Sequence, residues 1–351
     1  MVHSRPFSAP AGSMAPRAAS PAAGAHFVKF PRPAVSELLR FVPHLLVVAF
    51  AIGCAVALRA DLQQVSLGAM LHASNLIAAA AVLSVLNYVM RITRWRWYLA
   101  RLGHELPLLF TALTYIAGFA YTLSPGKVGE LVRARYYVPL GISVPKVAAA
   151  FFAERLLDLI SMIFLAVMLL ASSSHYRPLI VAVCGCLLLV LVLVAALPWE
   201  RIAAAVESMQ WLPALLRRAL LSVTSAVSAT RPLLRPIPLA VGCLLGLLAW
   251  GLEGVGFSVL AGAAPAVHID TSMGIGIYAV AVLVGALSFL PGGLGSTEAV
   301  MSTLLISQGF ATGDAIFITL ACRVVTLWLG VLLGWLAVLS LRNQPLTVAS
   351  Q

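Results

Sequence analysis

Pro125-Gly126-Lys127-Val128-Gly129-Glu130 and Pro291-Gly292-Gly293-Leu294-Gly295-Ser296-Thr297-Glu298 open the same pattern twice in one chain. Each interrupts a hydrophobic stretch. Each is followed by a glycine (Gly141, Gly309) and then by an arginine inside an apolar run (Arg155, Arg323). The Pro and Gly positions lie 166 apart (291 − 125 and 295 − 129), and the Glu, Gly and Arg positions 168 apart (298 − 130, 309 − 141, 323 − 155). A two-residue insertion, Ser296-Thr297, accounts for the difference. Matching breaks in matching halves are the mark of internal repeats, and in membrane transporters such breaks point to the binding site.

Composition sets the solvent. Of 351 residues, 61% are hydrophobic and 10% charged, with mean hydropathy +1.00. Soluble domains carry about 25% charge, so this is an all-α, polytopic integral membrane protein. The net charge of +11 does not point to nucleic acid, because the arginines sit beside apolar spans. Orientation in the bilayer and contact with anionic lipid account for them. Cys54, Cys184, Cys186, Cys243 and Cys322 all lie in hydrophobic stretches without a histidine or second pair nearby, which reads as apolar packing rather than a metal or redox site. No cofactor is expected. Residues 1–36, rich in Ala, Pro and Ser, are expected to be a disordered tail. They make a poor signal peptide, and Met14 is an alternative start to Met1.

Spans need about 20 apolar residues. They are read at 41–59, 75–98, 147–171, 178–198, 238–262 and 313–340. The stretches 108–140 and 274–309 differ: each has an apolar arm, then the Pro-Gly break, then a second arm. Both read as re-entrant hairpins, since non-helical backbone at membrane depth survives only in protein or beside a watery cavity. Arg32, Arg40, Arg91, Arg94, Arg96 and Arg101 place the N-terminus on the cytoplasmic side of a bacterial inner membrane, and the linker 199–237, with five arginines, on the same side. The hairpins then enter from opposite faces. Repeat one covers about 75–171 and repeat two about 238–340, inverted; the whole transmembrane domain spans 37–342, with a tail at 343–351 and both termini cytoplasmic. The linker, with Trp199, Trp211, Leu215, Leu216 and Arg217-Arg218, suits an amphipathic helix on the inner leaflet or a solvated connector.

A charge deep in a span costs about 2.5–3.5 kcal/mol on insertion scales. Yet Glu154, Asp158, Glu253 and Glu298 lie in strongly apolar surroundings. Glu154 and Asp158 share a helical face, and Arg155 is placed to pair with Asp158. Such a group either locks helices together or forms a polar track. Asn87 and Glu253, 166 apart (253 − 87), precede the two breaks and fall near one interface. A half-helix beginning at Pro125-Gly126 or Pro291-Gly292-Gly293 would point free N–H groups at an anion. Lys127, Arg133 and Arg135 add positive charge near the first, with Gly129 and Gly295 in the turns; Glu130 follows the first break and Glu298 the second. Arg91, Arg94 and Arg96 alternate with Trp95, Trp97 and Tyr98, which reads as an interfacial belt with snorkelling arginines, Arg91 and Arg94 being also able to hold a lipid phosphate. Gly242-x-x-x-Gly246 and Gly330-x-x-x-Gly334 favour close packing within the chain over dimerisation. No hydrolase, Walker-loop or Asp-x-Asp motif is present, so no catalytic residue is assigned.

On these residues the chain resembles the flippase-like transmembrane family named for lysylphosphatidylglycerol synthase, the membrane half of the multiple peptide resistance factor. The matching pieces are Arg91-x-x-Arg94-Trp95, Leu123-Ser124-Pro125-Gly126-Lys127-Val128-Gly129-Glu130, Ala153-Glu154-Arg155-x-x-Asp158, Pro291-Gly292-Gly293-x-Gly295-x-x-Glu298 and Arg323. The resemblance implies movement of a lipid between leaflets. In bifunctional relatives synthesis belongs to a soluble domain after the membrane module, so a chain ending at Gln351 is expected to have no synthase activity. The expected partners are membrane lipids with anionic headgroups, a hopanoid being the other lipid class, together with a homodimer or a separate lipid-modifying enzyme. Rocking of the repeats would expose the site to each leaflet in turn. An enzyme acting on a lipid-linked substrate and a scaffold for envelope enzymes are the competing readings.

Overall fold

The computed structural model describes residues 73–170, 185, 189, 192–194, 196–264 and 266–342. The chain divides into Met1–Leu45 and Leu46–Gln351, and every described residue belongs to the second unit. The span read at 41–59, both tails and most of 178–198 lie outside the described residues.

Helices make up the described chain, with no strand among them. α1 is Ser74–Arg101 and α2 Leu108–Phe119. The first break winds as a 3-10 turn over Pro125–Arg133, followed by the short α3, Ala134–Tyr137, and by α4, Val144–Leu170. The linker forms α5, Trp199–Ser208, and α6, Ala214–Thr230. α7 is Pro236–Ala261 and α8 Thr271–Leu287. The second break is a 3-10 turn over Pro291–Gly293, then come α9, Ser296–Ser307, and α10, Thr312–Arg323. A π turn over Val324–Trp328 joins α10 to α11, Leu329–Arg342.

Among the described residues, three stretches are long and apolar enough to cross a membrane: α1, α7 and the continuous Thr312–Arg342. α4 is 27 residues long but carries Glu154, Arg155 and Asp158 near its middle. α2 and α8, the arms before the breaks, have 12 and 17 residues. At 1.5 Å per residue they reach about 18 and 26 Å, short of a hydrocarbon core of about 30 Å.

Small residues set how closely the spans pack. α1 and α7 lie against one another, and α4 against α7 and α8. A Cβ at Gly246 would stand 2.5 Å from Ser161 Oγ of α4 and 2.8 Å from Arg94 Nη1 of α1; one at Gly242 would stand 2.5 Å from Leu157 Cδ1 and Tyr98 Oη. One at Gly330 would stand 3.0 Å from Tyr88 Oη, and one at Gly334 would meet the backbone of Phe119 and Ala120. Both G-x-x-x-G faces are therefore used within the chain. Gly246→Ala is expected to cost about 1–3 kcal/mol through overpacking, seen as earlier thermal unfolding in detergent.

The linker is two helices rather than one, α6 packing on α5 and on α4. Leu212 is buried while Trp211 and Leu215 are 80% and 84% exposed. At the end of α1, Lys146 Nζ reaches the Leu102 carbonyl (3.3 Å) and His104 Nε2 (2.8 Å). Partial burial and the Lys146 charge lower the His104 pKa below the ordinary imidazole value.

Candidate functional site

The buried face of α1 runs Asn87, Tyr88, Arg91, Arg94, Trp95, Tyr98. Arg91, Arg94, Trp95 and Tyr98 fall at i, i+3, i+4 and i+7, one stripe of a helix. They therefore turn inward, and the belt reading holds at most for Arg96 and Arg101, which are exposed, and the half-buried Trp97. The 3.6-residue spacing was the signal; the alternation of Arg with aromatic residues concealed it.

The stripe meets α4. Arg94 Nη2 lies 2.5 Å from Asp158 Oδ1 and 3.5 Å from Glu154 Oε1. Arg91 Nη2 lies 3.5 Å from Glu154 Oε1 and 3.9 Å from Asp158 Oδ2. Arg155 Nη2 is 3.2 Å from Glu154, 3.3 Å from Asp158 and 3.8 Å from Glu130. Arg133 donates to Glu130 (2.8 Å) and to Glu154 (3.3 Å). Thr122 donates to Glu130 (2.7 Å), and the Tyr115 hydroxyl to Glu154. The Arg133 guanidinium lies 4.0 Å from the Tyr115 ring centroid. The pairing of Arg155 with Asp158 thus holds, though Arg94 is the closer partner. Four guanidinium groups face three carboxylates. Arg91, Arg94 and Arg133 are almost wholly buried, whereas the Arg155 side chain is 18% exposed.

Beside this cluster lies a cavity of about 320 Å³, at the low end of the range for small-molecule sites. Its charged lining is Arg91, Lys127, Arg155, Asp158, Glu253 and Arg323. Its apolar wall comes mainly from α8 and the chain after it: Val282, Leu283, Leu287, Phe289 and Leu290. Leu287 and Phe289 are 68% and 70% exposed. Both breaks contribute, through Ser124 and Lys127 on one side and Gly292 and Gly293 on the other. They also touch: Leu123 and Leu294 share one apolar cluster with Leu327, and a Cβ on Gly292 would stand 2.6 Å from Leu123 Cδ2. Lys127 and Phe289 are non-glycine residues at positive φ, 57° and 54°, a conformation that side chains adopt uncommonly. Lys127 has no carboxylate at ion-pair distance among the described residues, and its Nζ lies 5.7 Å from the Trp250 ring centroid.

The break termini differ from the anion-binding half-helices expected. After Pro125-Gly126 the chain winds as 3-10 rather than α, and the Gly129 N–H is taken by Ser124 Oγ (2.6 Å). At the second break, Pro291 opens the turn, and Gly295 (φ 86°) N-caps α9 with its N–H donated to Glu298 Oε2 (2.7 Å). Glu298 thus supplies its own helix with the anion that a free N-terminus would seek. It also accepts from Arg323 Nε (2.6 Å), while Arg323 Nη2 donates to the Gly292 carbonyl (2.8 Å). Glu298 does not line the cavity, so Glu298→Ala is expected to act indirectly, by releasing Arg323. Arg135 is exposed and away from the lining. Arg133 and Arg94, each paired with carboxylates, do not line the cavity.

Asn87 donates to the Ala249 carbonyl (2.7 Å), a helix-to-helix bond that does not involve Glu253. Glu253, 4% exposed, accepts from the Tyr278 hydroxyl instead. Tyr88 donates to the Thr326 carbonyl (2.8 Å) in the π turn, which brings Thr326 and Leu327 to the cavity. Sequence reasoning did not single out Tyr88, Tyr115, Trp250 or Tyr278. Trp250 and Tyr88 had a local signal, standing one turn before Glu253 and Arg91 respectively; Tyr115 and Tyr278 sit in ordinary apolar runs. No group of three or more His, Cys, Asp or Glu among the described residues is placed to hold a metal ion.

Two likenesses bear on this arrangement. A family model described as "Lysylphosphatidylglycerol synthase TM region" matches residues 44–334. A UPF0104 membrane protein of Pyrococcus horikoshii is 36% identical over 69 residues, a stretch that covers 20% of this chain and 20% of the relative.

Proposed function

This chain belongs to the lysylphosphatidylglycerol synthase TM region family, and on that premise we propose that it moves a lipid with an anionic headgroup between membrane leaflets. The observation that carries the reading is one cavity lined both by cations and by exposed apolar side chains. Arg91, Lys127, Arg155 and Arg323 suit a headgroup phosphate. Leu287, Phe289 and Leu290 suit acyl chains. No covalent step is involved, and the protein acts as a carrier rather than an enzyme.

In this reading the chain is two inverted repeats, each with a re-entrant hairpin. Supporting it, the glutamate after each break approaches the arginine of the following repeat position: Glu130 to Arg155 at 3.8 Å, Glu298 to Arg323 at 2.6 Å. Lys127 and Gly293, 166 apart (293 − 127), are both at positive φ, as are Gly141 and Gly309. The short arms α2 and α8 fit hairpins better than full crossings. The reading also has both termini on the cytoplasmic side of a bacterial inner membrane, with Trp211, Leu215 and Arg218 of the linker against the inner leaflet.

Reconstitution tests the reading. In liposomes carrying acyl-labelled phosphatidylglycerol, a membrane-impermeant quencher is expected to reach about half of the label without protein and nearly all with it. Protection unchanged by the protein would refute translocation. Mass spectrometry of the same lipids is expected to find them chemically unaltered; a new product would favour the enzyme reading.

A further inference from the structure

Around the cavity, among the described residues, Glu130, Glu154, Asp158 and Glu298 each have a guanidinium nitrogen 2.5–3.2 Å away. Glu253 has none. Its carboxyl is held by the Tyr278 hydroxyl, buried in α7, and lines the cavity one turn from Trp250. It is the cavity acid that can gain or lose a charge without breaking an ion pair. The charged and titratable groups facing it are Tyr88 and Arg91 of α1, Lys127 of the first break, Tyr278 of α8, and Cys322 and Arg323 of α10. Arg155 and Asp158 of α4 line the same space. Arg91, Arg155 and Arg323 lie at ion-pair distance from carboxylates, Arg155 keeping an unpartnered Nε, which leaves Lys127 and Glu253, among the described residues, as the lining charges without an ion pair.

Resting on the translocator reading, we propose that Glu253 is a proton-carrying site, so that one proton crosses with each anionic headgroup. A bound phosphate at Lys127 and Arg155 places a negative charge in the water-poor space that holds the Glu253 carboxylate. Like charges in such a space disfavour one another strongly. Headgroup binding therefore favours protonation of Glu253, and protonation favours headgroup binding by the same factor. The proton is taken from water on the side where the lipid enters and returned to water on the other. One negative headgroup and one proton move together with no net charge. Transport is then driven by a pH difference and is insensitive to membrane potential.

The experiment uses the full protein in liposomes with labelled phosphatidylglycerol, the potential clamped by potassium and valinomycin. One pH unit across the membrane is worth a factor of ten for a single coupled proton. The wild type is expected to shift the steady-state leaflet ratio about tenfold per pH unit, towards the alkaline side, and not to respond to potential. Glu253→Gln, which keeps an acceptor for Tyr278 but cannot change charge, is expected to give a ratio near one under the same gradient. Phosphatidylglycerol binding to the wild type in detergent is expected to tighten as pH falls, by at most tenfold per unit, while phosphatidylcholine binding does not. A wild-type ratio indifferent to pH, a ratio that follows potential, or a Glu253→Gln protein that still shifts tenfold overturns the proposal. If the wild type exchanges no lipid, the translocator reading fails instead, and the binding measurement alone decides whether proton and headgroup are linked. Should Glu253→Gln not fold, the wild-type measurements decide.

Discussion

Glu154→Ala is expected to destabilise the fold by about 3–5 kcal/mol, the usual cost of removing one partner from a buried ion pair. Glu154 is fully buried and touches four guanidinium groups, those of Arg91, Arg94, Arg133 and Arg155. Its loss would leave four cations facing two carboxylates, Glu130 and Asp158, away from water. Removing a surface glutamate such as Glu207 is expected to change stability by less than about 0.5 kcal/mol. Thermal unfolding of the purified proteins in one detergent checks the difference. Glu154→Gln should lie close to Glu154→Ala, because the missing quantity is charge rather than volume. Equal unfolding temperatures for wild type and Glu154→Ala would remove the cluster from any structural role.

Arg155→Ala is expected to slow lipid exchange by roughly 10- to 150-fold while leaving insertion and folding intact. The reason is charge balance. Without Arg155, three guanidinium groups remain against Glu130, Glu154 and Asp158, so the buried cluster loses its surplus cation rather than a needed partner. Arg155 is also the member of that cluster with the most exposed side chain, and it faces the cavity. Its Nη2 is shared among Glu154, Asp158 and Glu130 at 3.2, 3.3 and 3.8 Å, and its Nε has no hydrogen-bond partner within the protein, so a headgroup oxygen could complete that donor. A hydrogen bond to a charged group contributes about 1.5–3 kcal/mol, or roughly 10- to 150-fold in rate if felt in the rate-limiting step. Lys127→Met should give a loss of the same order for the same reason. Normal exchange by a folded Arg155→Ala protein would detach the cavity from transport, and unfolding of that variant would contradict the charge-balance argument.

The lock and the track readings of Glu154 and Asp158 make different demands on where each group points. Glu154 and Arg94 do not line the cavity, a position that suits a lock. Arg155 and Asp158 belong to both the cluster and the lining. A rocking carrier needs both: a rigid unit to turn about, and a polar face that the lipid can reach.

Much of this was readable from local chemistry. Composition compelled a membrane solvent. Proline and glycine compelled breaks at 125 and 291, because neither sustains a helix. The i, i+3 separation of Arg155 and Asp158 announced their pairing, which the structure places at 3.3 Å. What could not be read was the partner of each remaining charge. Arg94 meets Asp158 across 64 residues of chain, Asn87 meets a carbonyl 162 residues away, and the two breaks, far apart in sequence, share one apolar cluster. Such contacts follow from which helix faces which. Small residues such as Gly246 and Gly330 decide that by how near two backbones can come, and spacing along one helix carries no record of it.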